Sequence, residues 1–550
     1  MFAVAAEPVN CVPLNGEEDL MSSRTRRAAT VLAICCVVVS CGRTTKKQRS
    51  IELEVLEDKV RGGWAGQMIG VSYGEPTEFK YLAKIIPEEE LPEWKPELVR
   101  STLDQDDLYV DMTFAAVLDE KGLDATTEDF GAMFRDAQYR LWHANLAARR
   151  ALKRGVPATL SGTPKYNAHA NDIDFQIEAD FIGLMTPGML QASNDLGLRA
   201  GRVMNSGDGI NGGLFVSAMY AAAFFESHPR RLVEAGVAAL PAESEYARLI
   251  TDVLQWSQEH PDDWIAVWQL IQDKWDGGEP CPHGALDPFN IDAKINGAYV
   301  AIGLLYGGGD FEDTMVIATR CGQDSDCNPA SAVGVLGVVL GYEGIPEEYR
   351  SGIPDIADET FSYTDYSFNT IVESTMKRAI AMAERHGGGV DGECLIVTIQ
   401  DPSPAELEMW DDFGSPVDLI WIDDPRWSIQ GAWEDESYQK GHWDLRWSTS
   451  GDAGAEASIR FDGSGAILGG MYMPTGGMVD VYLDGELDRT VDVNSDEDSA
   501  KVNESVWHAF GLEDTEHELR VVVRGEPYRG PDGVEREGTD VALSYLKVFR

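Results

Sequence analysis

Cys321-Gly322-Gln323-Asp324-Ser325-Asp326-Cys327-Asn328-Pro329 ends like the entrance to a helix. Asparagine is a favoured N-cap and proline suits the first helical position, so a helix is predicted from Asn328 onward. Asp324 and Asp326 then sit on the loop just before it, near its positive end. As alternate residues of an extended loop they can face the same side. The predicted helix carries small residues on one face, with Ala330, Gly334, Gly337 and Gly341 at i, i+4, i+7 and i+11. Gly62, Gly66 and Gly70 recur at i, i+4 and i+8 in another segment. Glycine inside a helix costs up to about 1 kcal/mol. Its repetition on one face predicts buried helices whose backbones approach closely.

Outward from this stretch, residues from about 51 to 385 read mainly as helix. Apolar positions recur at helical spacing over 128–154, 212–225, 244–273, 294–306 and 366–385, with few turn signals. A second acidic cluster lies in the same part: Leu103-Asp104-Gln105-Asp106-Asp107-Leu108-Tyr109-Val110-Asp111. On a helix, Asp107 and Asp111 are one turn apart. If the two clusters meet, four or five carboxylates share one small site. Like charges that close do not all stay ionised without a cation. An all-oxygen donor set selects a hard ion, Mg²⁺, Mn²⁺ or Ca²⁺, over Zn²⁺. No Cys-x-x-Cys or His-Glu-x-x-His pattern points to zinc.

His386-Gly387-Gly388-Gly389 ends the helical part. Beyond it the apolar pattern switches to period two, with strands predicted at 395–399, 417–422, 457–461, 478–483, 489–493, 518–523 and 541–548. Asp484-Gly485 reads as a hairpin turn between two of them. Short strands separated by turns argue for a β-sandwich. Asp480-Val481-Tyr482-Leu483-Asp484 and His517-Glu518-Leu519 loosely resemble the jelly-roll carbohydrate-binding-like modules appended to exported bacterial enzymes. Seven of the 14 tryptophans fall here, at 410, 421, 427, 433, 443, 447 and 507. They either stack on sugar rings or fill the sandwich core, and the core reading has the stronger prior.

The chain has 550 residues, room for two to four domains, and 43% of them are apolar. That composition, with 25% charged residues, excludes a disordered chain. Ninety-three acids against 45 Lys and Arg give a net charge of −48. Such a surface repels phosphate backbones, so nucleic acid is not an expected partner, and it disfavours anionic membrane surfaces. Metal cations, neutral substrates and a high-salt habitat are compatible with it. Arg24, Arg26 and Arg27 precede a short apolar run, 28–39, which is too short to span a bilayer and reads as a signal peptide. The run ends Val38-Val39-Ser40-Cys41-Gly42, which resembles a bacterial lipobox with Cys41 as the lipidated residue; an ordinary secretory signal is the alternative. Met21 fits a start better than the acidic segment before it. Gly42 after the cysteine fits outer-membrane or cell-surface sorting, so the membrane is expected as a partner only through a lipid anchor. Of the eight cysteines, Cys281, Cys321, Cys327 and Cys394 belong to the body, too few for a disulfide scaffold.

With these residues in view, the chain resembles the ADP-ribosylglycohydrolase family over about 51–350. Three matches occur in the family's order and spacing. Gly63-Trp64-Ala65-Gly66-Gln67-Met68-Ile69-Gly70 followed by Pro76-Thr77-Glu78-Phe79 resembles the family's opening helix and its Glu-Phe stretch. Asp106-Asp107 resembles its Asp pair, and Asp324-Ser325-Asp326 its Asp-x-Asp-Thr-x-Ala. The resemblance implies an all-α domain with a two-ion Mg²⁺ or Mn²⁺ site on Asp106, Asp107, Asp324 and Asp326. Departures stand at Gln67, where Asp is usual, at Gln105 and Leu108, where Thr flanks the pair, and at Cys327, where Thr often helps ligate metal. The expected architecture is a leader over 1–41, the all-α domain over 51–389 and a β-sandwich over 390–550.

The resemblance further implies hydrolysis of a ribosyl glycosidic bond in a substrate with vicinal hydroxyls, through an oxocarbenium-like transition state. Glu78 is the candidate acid/base, with Glu75 the alternative. Asp208, Gly209 and Asn211, in Gly207-Asp208-Gly209-Ile210-Asn211-Gly212-Gly213, are the candidate substrate contacts, because Gly-rich backbone before a helix can approach a phosphate or ribose; a plain loop and helix cap is the even alternative. Export opens two rival functions. One is a metal-dependent glycoside hydrolase on extracellular carbohydrate. The other is a non-catalytic surface sugar-binding protein, which four intact aspartates argue against.

Overall fold

The two glycine-lined segments pack against each other as helices. In the computed structural model, which describes residues 47–277, 280–410, 413–440 and 443–550, the opening helix runs Leu53–Gly74 and the site helix Cys327–Leu340. A β-carbon on Gly62 would lie 2.2 Å from the Gly337 carbonyl oxygen, one on Gly66 2.2 Å from that of Val333, and one on Gly337 2.1 Å from that of Gly62. No side chain fits there, and residues 62–74 and 327–338 are all buried. The contact continues to Gly74, whose missing β-carbon would stand 2.0 Å from the Ser325 carbonyl oxygen and 2.4 Å from Asp326 Cα. The opening helix therefore ends against the loop that carries the two aspartates.

Asp208–Ala223 and Ala293–Gly307 are likewise buried almost throughout, and amphipathic helices such as Glu245–Glu259 cover them. Two long predicted helices are interrupted. Residues 128–154 divide into Thr127–Asp136 and His143–Lys153. The apolar signal persists across the gap because Tyr139 and Leu141 are buried there without being helical. Residues 244–273 divide into Glu245–Glu259 and Trp264–Trp275 around His260-Pro261, where proline lacks the amide proton a helix needs, and Asp263 caps the second helix. The site helix begins before Asn328. Asp326 takes the N-cap position, Pro329 falls in the first turn where it is tolerated, and Asn328 instead donates to Asn296 Oδ1 at 2.9 Å.

The strand expected to open the β domain does not belong to it. Cys394–Thr398 pairs antiparallel with Gln48–Glu52, and Gly389–Asp391 completes a three-stranded sheet on the helical part. The β domain proper begins at Pro416–Trp421. Its strands run side by side in the order Glu486–Asp492, Gly477–Leu483, Lys501–Pro527, Glu456–Tyr472, Val541–Phe549, Trp443–Ser450, Glu434–Lys440, all antiparallel. Asp484 and Gly485 both have positive φ, as the two-residue hairpin turn requires. Ile459, Phe461, Val481, Leu519, Val521 and Leu546 lie in its core. Trp427 and Trp507 are buried there and Trp410 against Phe413 and Phe510, while Trp421, Trp433 and Trp447 are half-buried.

Along Glu456–Tyr472 burial alternates at first and then becomes continuous. The second half is covered on its outer face by the helical domain: Ile467 and Phe549 share a cluster with Ala285. Tyr545 Oη donates to the Pro282 carbonyl at 2.6 Å, and Arg150 and Arg154 both donate to Asp492 Oδ1 at 2.7 Å. Among the described residues no helix is long and apolar enough to cross a membrane. The predicted leader and Cys41 lie outside the described residues.

Candidate metal centre

Three elements deliver carboxylates to one place. Beyond the opening helix a 3₁₀ turn, Glu75–Thr77, precedes Glu78. Thr77 Oγ1 meets Ser325 Oγ at 2.9 Å, which ties this turn to the aspartate loop. The loop is held further by Phe79 N donating to the Gln323 carbonyl and Gln323 N to the Tyr81 carbonyl, each at 3.1 Å. Both Phe79 and Gln323 have positive φ, at 48° and 56°. Non-glycine residues adopt this conformation only where surroundings enforce it, most often at functional sites. The third element is the Asp106–Lys121 helix, which begins with the Asp pair.

The carboxylate oxygens of Glu78, Asp324 and Asp326 can all lie within 4.8 Å of one another. So can those of Asp107 and Asp326 with Cys327 Sγ, and Asp326 is common to both groups. Asp106 is half-buried and joins neither group, but its charge raises the pKa of Glu78, Asp107 and Asp326, as a nearby like charge does. Glu78, Asp107, Asp324 and Asp326 are thus brought together. Glu75 and Glu78 are both exposed, but Glu75 joins neither group.

The electrostatics are those of crowded acids. Burial, then the charges of Glu78 and Asp107, pushes Asp324 up to about 8. Burial and the Asp324 charge push Asp326 up, and burial and Asp326 push Asp107 up. For Glu78 the Asp326 charge comes first and burial second. Asp324 Oδ1 and Asp326 Oδ1 are buried without a hydrogen-bond partner, although Asp326 holds an N-cap position where its side chain could have capped the helix. Buried unpaired carboxylate oxygens call for a cation. Glu78, Asp324 and Asp326 offer oxygen alone, which fits a hard ion such as Mg²⁺ or Mn²⁺, while the second group adds Cys327 Sγ to its two carboxylates. Cys327 Sγ donates to Asp107 Oδ2 at 3.3 Å, and burial followed by the Asp107 charge holds the thiol protonated. It orients a carboxylate rather than competing for the ion.

Below this centre lie two more buried acids. Asp111 accepts from the Phe181 amide at 3.2 Å. Asp180 Oδ2 accepts from Gln67 Nε2 at 2.6 Å and from Tyr220 Oη at 3.2 Å. Gln67, which departs from the family pattern, is fully buried and also donates to the Asp107 carbonyl at 3.4 Å. Asp180 ends a third acidic run, Asp172-Ile173-Asp174-Phe175-Gln176-Ile177-Glu178-Ala179-Asp180, whose acids are spread among apolar residues.

Asp208, Gly209 and Asn211 stand elsewhere. Asp208 Oδ1 accepts from Asn211 Nδ2 at 2.8 Å and Oδ2 from the Tyr246 amide at 3.1 Å. A β-carbon on Gly209 would lie 2.3 Å from the Ala170 carbonyl oxygen, so this glycine serves close packing. Asp208 also borders a cavity of about 180 Å³ with Asn171, Glu245 and Trp410. None of the three is grouped with the four aspartates.

The family model for ADP-ribosylglycohydrolase matches residues 52–381, so the chain belongs to the ADP-ribosylglycohydrolase family, a family of hydrolases. Among solved structures it is similar to an ADP-ribosylglycohydrolase-related protein complex, at 15% identity over 60% of this chain and 99% of that one, with a TM-score of 0.38. It is also similar to a family two carbohydrate esterase from Cellvibrio japonicus, at 19% identity over 24% of this chain and 32% of that one, TM-score 0.17. A third is the CBM36-1 domain of a multidomain xylanase from the hindgut metagenome of Trinervitermes trinervoides, at 12% identity over 24% of this chain and 94% of that one, TM-score 0.16. None of the curated proteins matches the chain.

Proposed function

We propose that this protein is an exported hydrolase that depends on two Mg²⁺ or Mn²⁺ ions and cleaves a ribosyl, ADP-ribosyl-type, glycosidic bond. The observation that carries the reading is the pair of carboxylate groups hinged on Asp326, one reaching Glu78 and Asp324 and the other Asp107. Asp106, Asp107, Asp324 and Asp326 would hold the ions. Bound there, a divalent cation would supply Lewis-acid charge to the sugar's vicinal hydroxyls and to a water.

The remaining roles fall to this chain's own groups. Glu78 edges the centre and moves the proton between water and leaving oxygen; Glu75, exposed one turn away, is the second candidate. Phe79, next to Glu78 in the chain, packs on Phe289 with ring centroids 5.0 Å apart. The β domain, with Trp427 and Trp507 in its core, serves as a partner domain for the catalytic one. A lipid on Cys41 would keep the protein at the outer membrane or cell surface, where its substrate is a small molecule or glycan bearing vicinal hydroxyls.

The deciding experiment is a turnover screen with Mg²⁺ or Mn²⁺ across ADP-ribosyl-arginine, ADP-ribosyl-serine, nucleosides and oligosaccharides. Ribosyl-bond cleavage lost in Asp326→Asn supports the reading. Turnover of oligosaccharides alone replaces it with the glycoside-hydrolase reading.

A further inference from the structure

A different set of metal-ligating side chains lies beside Phe289. The Phe289 ring, which packs on Phe79, also has its centroid 5.7 Å from that of His143. His143, His169 and Asp172 offer ligand atoms all within 4.8 Å of one another. Cys281 Sγ stands 3.4 Å from Asp172 Oδ2 and 3.7 Å from His169 Nδ1. His143 Nδ1 is 3.5 Å, and His169 Nδ1 2.7 Å, from the same carboxylate oxygen. These residues come from the start of one helix and two separate loops, which is why no linear motif announces them.

Two imidazoles, a carboxylate and a thiol make a donor set for a borderline ion, not for Mg²⁺. In a tetrahedral zinc site with bonds of about 2.0–2.3 Å, neighbouring ligand atoms stand roughly 3.3–3.8 Å apart. Three of the four separations above already fall in that range. The fourth is a hydrogen bond that has to open by roughly half an ångström to reach it. His169, Asp172 and Cys281 are 2%, 1% and 5% exposed. His143 Nδ1 is buried with no hydrogen-bond partner, and its backbone is held at φ 45°. His169 Nε2, on the other edge of its ring, faces Glu504 Oε2 of the β domain at 3.5 Å. A metal-bound histidine typically turns its second nitrogen to such a carboxylate, which fixes the ring and its tautomer.

We propose that His143, His169, Asp172 and Cys281 form a structural zinc site, closed by four protein ligands, with Glu504 as the outer partner of His169, so that the ion staples the helical domain where it meets the β domain. Binding releases the Cys281 thiol proton to solvent and leaves His169 protonated only at Nε2, the nitrogen facing Glu504. A four-ligand site leaves no position for substrate, so its role is cohesion rather than turnover.

The test uses full-length protein given zinc and then dialysed against a weak chelator, with retained metal measured by atomic emission. One equivalent of zinc is expected, and is expected to persist in an Asp324→Asn/Asp326→Asn variant. Cys281→Ser is expected to lower zinc affinity by at least about 100-fold, the upper end of what outer-shell changes cost. Replacement of zinc by Co²⁺ is expected to give a thiolate-to-cobalt charge-transfer band that Cys281→Ser lacks. Wild-type protein that retains no zinc and shows no such band, or zinc retention unchanged in both Cys281→Ser and His169→Gln, overturns the proposal. The cobalt spectrum of the wild type decides the matter even if a variant fails to fold.

Discussion

Asp326 is the residue on which both carboxylate groups depend, and it caps no helix despite its N-cap position. Asp326→Asn is expected to reduce Mn²⁺ affinity by at least about 100-fold in calorimetry, beyond the 10–100-fold typical of outer-shell changes. The same variant is expected to melt higher than wild type in chelator, because it removes a buried like charge. Calorimetric binding that stays unchanged moves the ions elsewhere. Cys327 distinguishes donor from ligand. Cys327→Ser keeps a hydroxyl that can donate to Asp107 and is expected to bind Mn²⁺ nearly as wild type does, while Cys327→Ala loses roughly 10-fold or more. At this scale the sequence was informative where acids cluster. Asp106, Asp107, Asp324 and Asp326 could be found because the two runs bracket helix starts. Asp180 belongs to a third run with Asp172, Asp174 and Glu178, but those acids are spread among apolar residues and give no sign of what each one faces, and Asp208 drew attention through neighbouring glycines that serve packing.

Between helices, the glycine stripe sets the position of the aspartate loop. Gly74 lies beyond the run read from the sequence, yet it touches Ser325 and Asp326. Gly74→Ala is expected to shift that loop and weaken Mn²⁺ binding. Gly66→Ala, which meets the Val333 backbone far from the acids, is expected to cost about 1–3 kcal/mol or more of stability in urea unfolding. Metal affinity preserved in Gly74→Ala would show that the loop is positioned from elsewhere. The stripes were legible because close packing leaves a compositional trace. The breaks at 137–142 and 260–263 were less so, since buried Tyr139 and Leu141 imitate a continuing helical face. The pairing of Cys394–Thr398 with Gln48–Glu52 left no trace at all, because a strand's partner some 340 residues away is not written in its own alternation.

Among the described residues, the two domains meet through ion pairs, hydrogen bonds and a small apolar cluster. Burial would raise the Asp492 carboxyl, but Arg150 and Arg154 beside it prevail and hold it at about 2. A depressed carboxyl contributes stability that is present above its unfolded value near 4 and lost as pH falls through 2, here about 2 kcal/mol. Asp492→Asn is therefore expected to destabilise the protein by roughly that amount at pH 6, and by progressively less as pH approaches 2. His508, whose Nε2 donates to the Pro164 carbonyl at 2.7 Å, is lowered by burial to about 4. Its neutral form is the one that folds, so its contribution is complete above about pH 6.5 and is lost as pH falls toward 4. Urea midpoints of wild type and His508→Gln, compared at pH 7.5 and 4.5, are expected to diverge in that direction. A pH-independent difference in either variant would remove the interface from the acid response.

The −48 charge is a property of surface more than of chemistry, since residues 401–550 alone hold 33 acids and 12 bases and only a handful of acids face the metal centre. The small sheet formed by Gln48–Glu52 gives that charge a spatial meaning. Six residues, 42–47, lie between Cys41 and Gln48 in the sequence. Fully extended, such a leash reaches about 20 Å. The screening layer over a charged membrane is about 8 Å thick in physiological salt. A lipid on Cys41, as proposed, would hold the start of this strand no further than about 20 Å from the anchor. That distance is of the same order as the screening layer, so repulsion between the acidic surface and anionic headgroups would depend on salt.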